Sequence, residues 1–149
     1  MSERRTAALL LAVALIASGC GSFLAEAQGG SAEEAGALAG EFLEALRDGD
    51  TDAAWALVYP LNRSAFFDDD RDRFQALVER IDLAGVRWEI LDVSAHDGRY
   101  RVDVRLGPLQ VDDSLGTFVQ IIETDGVPTH ASITVRIEPL GGSRGVYAG

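Results

Sequence analysis

The chain of 149 residues carries 24 acidic against 13 basic side chains, a formal net charge of −11, and every base outside its two histidines is Arg. That excess of negative charge argues against recognition of a phosphate backbone and against electrostatic adhesion of the protein surface to anionic lipid, since both partners would be repelled. A single cysteine excludes a disulfide framework, and the length allows one ordinary domain, burying roughly two-thirds of the surface its unfolded chain exposes.

The first twenty residues divide into three parts: the basic pair Arg4-Arg5, an almost unbroken apolar run over Thr6–Ile16, and the small residues Ala17-Ser18-Gly19 before Cys20. An apolar run this short cannot span a bilayer core of roughly 30 Å as a helix, so it reads as a secretory signal. Ala17-Ser18-Gly19-Cys20 resembles the lipobox of bacterial lipoproteins, in which the cysteine receives a diacylglyceryl thioether and becomes the new N-terminus. Ala17 departs from that pattern, which more often has Leu. The resemblance implies removal of residues 1–19, fatty acylation (palmitate or its like) at Cys20, and attachment to the outer side of the cytoplasmic membrane, or to an outer membrane in a host with two. Each buried methylene contributes about 0.8 kcal/mol, so two or three chains hold a small domain firmly. The alternatives are a coincidental cysteine in a secreted protein and an uncleaved anchor. Residues 20–30, rich in Gly, Ala and Ser, read as a flexible tether.

Ser31-Ala32-Glu33-Glu34 is a capping box, and behind it Ala35, Leu38, Ala39, Phe42, Leu43 and Leu46 recur at helical spacing. Gly49 suits the left-handed conformation that closes such a helix. A second helix is expected over 51–58, capped by Asp50 or Thr51 and ended by Pro60. A third is expected over 72–83, with Phe74, Leu77, Val78 and Ile81 on one face. The period then changes to two. Val86, Trp88 and Ile90 alternate with charged residues before the phase shifts to Leu91, Val93 and Ala95, which predicts a bulge near Ile90-Leu91. Asp97-Gly98 signals a two-residue hairpin turn, and Tyr100, Val102, Val104 and Leu106 alternate after it. Strands over 117–124 and through Ala131, Ile133, Val135 and Ile137 follow, parted by Asp125-Gly126. Residues 31–139 thus form an α+β domain, three N-terminal helices packed on a curved antiparallel sheet of about four strands, with 140–149 (LGGSRGVYAG) as a loose tail.

This order, and above all the stretch from Glu41 to Trp55 (EFLEALRDGDTDAAW), resembles the nuclear transport factor 2-like superfamily, also called cystatin-like or steroid-isomerase-like. The resemblance covers about residues 31–139 and implies a cone-like fold in which a long first helix crosses the sheet. It specifies no activity, because members include isomerases, dehydratases, hydrolases and non-enzymatic accessory domains. The acid and Tyr of the isomerases have no counterpart where this chain has Phe42 in its first helix, so no catalytic residue carries over.

Five groups of residues are candidate sites. Asp68, Asp70, Asp72 and Glu79 fall at calcium-loop spacing, but Arg73 replaces the glycine such a loop needs and helical periodicity follows; capping of a helix N-terminus explains the acids better. Asp92 and Asp103 lie directly opposite if Asp97-Gly98 is a two-residue turn, and Arg101 and Arg105 stand diagonal to them as neutralising partners. His96 and His130 are far apart and lack metal-ligand spacing, and neither Ser64 nor Ser143 has a nucleophile's context. Trp55, Tyr59, Phe66, Phe67, Trp88 and Tyr100 either line a pocket between helices and sheet or pack the core. The reading is therefore of a lipid-anchored envelope domain, non-catalytic, binding a small apolar ligand or an envelope protein, with no metal, cofactor or nucleic acid. A small isomerase or dehydratase working in a concave pocket is the alternative, and a structural spacer a third.

Overall fold

A computed structural model describes residues 29–80, 83, 85–107 and 116–148. The signal, Cys20 and most of the tether lie outside this set. Among the described residues no helix is long and apolar enough to cross a membrane.

Among the described residues four helices precede five strands: α1 (Ala32–Asp48), α2 (Thr51–Leu57), α3 (Pro60–Phe67), α4 (Arg71–Val78), β1 (Arg87–His96), β2 (Arg99–Gly107), β3 (Val119–Thr124), β4 (Val127–Ile137) and β5 (Arg144–Tyr147). The class is α+β, with every strand pairing antiparallel. α1 begins as its capping box requires: the Ser31 hydroxyl accepts from the Glu34 N–H at 3.1 Å, and Gly49 closes the helix at φ 66°. Asp50 caps α2, accepting from the Ala53 N–H. Val58, extended beyond α2, makes a parallel bridge to Val146.

Four expectations need correction. Pro60 does not merely end the second helix; it opens α3, because the first turn of a helix has no use for the N–H that proline lacks. Residues 140–149 are not a loose tail. Arg144–Tyr147 pairs with the end of β4, giving a fifth strand, and Gly145 makes this possible: a Cβ there would stand 2.6 Å from the Leu57 carbonyl oxygen and the Tyr59 nitrogen. The tether also ends earlier than expected, since the Gly29 N–H donates to the Ile137 carbonyl at 2.8 Å. The third expected helix, as α4, stops at Val78; Ile81 lies outside the described residues.

The sheet order is β1-β2-β4-β3, and β5 continues along the β4 edge that β3 begins, β3 taking Val127–Ile133 and β5 Thr134–Ile137. The β1–β2 hairpin turns at Asp97-Gly98 in the expected register, with Asp92 opposite Asp103, and its register shifts between Ile90 and Asp92. That bulge puts Trp88, Ile90, Val93 and Ala95 on one face despite the break in alternation. The core lies on this face, where Phe42 and Leu43 of α1 and Phe74 of α4 join Val102, Val104, Ile133 and Val135 in one buried cluster.

Candidate functional site on the outer face of the sheet

The six aromatics do not converge on one pocket. Trp55 and Phe67 belong to a ring cluster inside the helical layer: Trp55 stands 5.3 Å from Phe74, Phe67 stacks on Phe118 at 6.1 Å, and Phe42 meets Phe118 edge-on at 5.7 Å. Such tilted and edge-on arrangements are how rings fill an interior. Phe66 extends the cluster outward and is half exposed. Trp88 lies elsewhere, beneath the Arg47 guanidinium at 4.7 Å. Tyr100 is buried, its hydroxyl donating to the Gly29 carbonyl at 3.3 Å. Tyr59 belongs to a different assembly altogether.

That assembly forms because Val58 and Tyr59 run along β5. With Val58 in the core and the Tyr59 N–H donating to the Val146 carbonyl, the Tyr59 ring comes to the side of the sheet away from α1 and meets Tyr147 edge-on at 5.6 Å. The Tyr147 ring carries two guanidinium groups, Arg99 at 4.1 Å and Arg136 at 5.8 Å from its centroid, and its hydroxyl accepts from Arg99 Nη2 at 3.2 Å. Arg136 also stands 5.1 Å from the Tyr59 ring centroid. The Tyr59 hydroxyl donates to Glu138 Oε1, while Oε2 of the same carboxylate accepts from the Ser143 N–H. Burial pushes the Tyr59 phenol up, and its hydrogen bond to Glu138 pushes the same way. The bonds from Tyr59 and then from the Ser143 amide hold the Glu138 carboxyl below its ordinary value. Near neutral pH the pair is thus fixed as a phenol and a carboxylate. It can bind and orient, but neither member is poised to exchange a proton.

Two grooves flank this assembly. One, of about 490 Å³, is bordered by Ser94, His96, Asp97, Arg99, Arg101 and Thr134, with Tyr100 at its edge. The other, of about 520 Å³, runs past Arg99 to Arg136, Glu138 and Pro139. Both have the size of a small-molecule site. A third cavity, between α1 and α2, is bordered by Glu41, Glu44, Asp48 and Asp50.

Further along the outer face, Asp103 accepts from Arg101 Nε at 2.8 Å and lies 3.7 Å from His130 Nε2, whose Nδ1 is 2.9 Å from the Thr129 hydroxyl. Arg105, expected to help neutralise the aspartates, bonds Glu89 instead. His96 is exposed beside Asp97. In the acidic run, Asp70 caps α4 by accepting from the Asp72 N–H, and Arg73 binds Asp68. Among the described residues no three His, Cys, Asp or Glu side chains are grouped to hold a metal ion.

Sequence reasoning passed over Arg99, Arg136, Glu138 and Tyr147. The alternation in β2 and β4 does mark Arg99, Arg101 and Arg136 as outward-facing. What it lacks is the β2–β4 register, which no short turn specifies. Compared with family models, with curated proteins and with solved structures, the chain matches none of them.

Proposed function

We propose that this chain is a lipid-anchored, extracytoplasmic binding domain of the nuclear transport factor 2-like kind, non-catalytic, whose ligand site is the outer face of the sheet. Ala17-Ser18-Gly19-Cys20 after an apolar run is the support for the anchor. A long first helix lying on a bulged antiparallel sheet, with short helices between them in sequence, is the support for the kinship. The observation that carries the placement of the site is the contrast in filling. The helical side is occupied by the rings of Phe42, Phe67, Phe74 and Phe118, whereas the outer side offers grooves edged by guanidinium and hydroxyl groups. An acid–base role is disfavoured because Tyr59 and Glu138 are each held in one protonation state at neutral pH.

The test is native mass spectrometry of the full chain extracted from its membrane in mild detergent. A diacylglyceryl mass lost in Cys20→Ser supports the anchor; an unmodified wild-type chain defeats it. A retained molecule released by Ser94→Trp, which fills the groove, and kept by Phe66→Ala supports the outer face. The reverse pattern places the ligand among the helices and overturns the reading.

A further inference from the structure

We infer that the outer-face groove takes an oxyanion, the carboxylate or phosphate group of a small molecule, in the fork of Arg99 with Arg136 as the second cation. The inference rests on the outer face being the binding face.

Tyr100 pairs with Val135 across β2 and β4. Both of those side chains are buried in the core, so the next residues outward, Arg99 and Arg136, share the opposite face on neighbouring strands. Like charges so placed repel unless something offsets them. The offset present is small. Arg136 Nη2 lies 3.9 Å from Glu138 Oε1, at the limit of an ion pair, and both oxygens of that carboxylate already accept other hydrogen bonds. Arg99 has no carboxylate within ion-pairing distance among the described residues; its contacts are the Tyr147 hydroxyl and ring. Of the two guanidinium groups, then, only Arg136 has a carboxylate at hand among the described residues, and that one is already occupied, in a chain whose net charge is −11.

The donors are also prepared for a partner. A guanidinium has five N–H groups in a rigid fork that matches carboxylate and phosphate geometry. Arg99 spends one of them on Tyr147, and the ring beneath holds the plane of the fork, reducing the entropy lost on binding. Ser94 and Thr134 edge the groove on one side of Arg99 as further donors, and Arg136 borders the groove on its other side. Of the other groups there, Arg101 is engaged with Asp103 at 2.8 Å, and the Asp97 carboxylate lies 3.1 Å from His96 Nε2. The two grooves, of about 490 and 520 Å³, meet at Arg99, and either suits a small solute or a headgroup.

The experiment titrates the full chain, in neutral detergent, into inorganic phosphate followed by phosphorus NMR and into benzoate followed by saturation transfer. Saturable binding of either probe is expected. Arg99→Gln should weaken it about tenfold or more, the usual scale of a lost hydrogen bond to a charged group. Arg99→Lys should fall between, keeping the charge without the fork, and Arg105→Gln, an exposed partner of Glu89, should change nothing. Competition by glycerophosphoglycerol assigns the oxyanion to a lipid headgroup, and failure to compete while phosphate stays bound assigns it to a free solute; both support the proposal. No binding by wild type, full binding by Arg99→Gln, or an equal loss in Arg105→Gln overturns it. A retained molecule released by Ser94→Trp but held by Arg99→Gln defeats the oxyanion and leaves the outer-face reading standing. Retention in both variants defeats the two together.

Discussion

On its helix-covered face the sheet presents Val102, Val104, Ile133 and Val135, all fully buried; on the other face the same two strands present Arg101, Asp103, Ser132 and Thr134. One alternation of sequence produces both faces. On the first, side chains meet only apolar partners, so their contribution is burial, non-directional and large. On the second, nearly every group is a donor, an acceptor or a charge, and each is held by a particular neighbour: Asp103 by Arg101, Arg99 and Arg136 by Tyr147, Tyr59 by Glu138. Stability belongs mainly to the first face; the second is where the proposed binding would find its selectivity.

The sharpest way to break this division is to cut into the helical side. Phe42→Ala removes a fully buried ring and is expected to cost about 3–5 kcal/mol, read by urea unfolding. A loss below about 1 kcal/mol would show that the rings are not closely packed, and would reopen that side to a ligand. Next is Asn62, which is 3% exposed and bonds both the carbonyl and the N–H of Ala148, fastening α3 to the chain beyond β5. Asn62→Ala leaves those two backbone groups without partners and is expected to cost about 2 kcal/mol.

The outer face is sharpened by pH. The folded-state pKa of Glu138 lies below its ordinary 4.5, so its contribution is complete above that value and lost as pH falls through the depressed folded pKa. Tyr59 lies above its ordinary 10.0, so its contribution is complete below that value and lost as pH rises through the raised one. Tyr59→Phe should flatten both the acid and the alkaline limb of a plot of denaturation midpoint against pH. Superimposable profiles would mean that the Tyr59–Glu138 bond adds nothing to folding. The smallest effect is expected at Asp92, opposite Asp103 across the hairpin. Asp92→Asn removes a like-charge contact and should raise stability by a few tenths of a kcal/mol, seen as a small increase in Tm.

Features governed by adjacent residues were legible beforehand. The Ser31 cap, the Gly49 stop, the Asp97-Gly98 register and the break near Leu91 each follow from a few neighbouring side chains, and the structure has them all. α3 was missed because Pro60 carries two meanings, end of one helix and first turn of the next, and only Val58 crossing to Val146 decides between them. β5 was missed because Gly-Gly-Ser-Arg-Gly offers little apolar alternation; its strand character is imposed by the free edge of β4. The outer-face assembly was illegible for the same reason on a larger scale. Tyr59 and Glu138 are 79 residues apart, and Arg99 and Tyr147 are 48, joined only through pairings that no local motif encodes. Of the six aromatics singled out, Trp55, Phe66 and Phe67 come together, while Tyr59, Trp88 and Tyr100 each settle elsewhere.

Gly29 is pinned on both sides, donating to the Ile137 carbonyl and accepting from the Tyr100 hydroxyl, and a Cβ on it would collide with the Glu138 backbone. The chain at Gly29 is therefore fastened beside the very groove that ends at Glu138 and Pro139. Were Cys20 acylated as proposed, the segment from it to Gly29, drawn out straight, would reach at most about 30 Å. With acyl chains on Cys20 the groove would sweep only a thin shell above the bilayer. Whatever shares that shell would meet it at an effective concentration on the order of millimolar, so even a weak fit would be occupied much of the time.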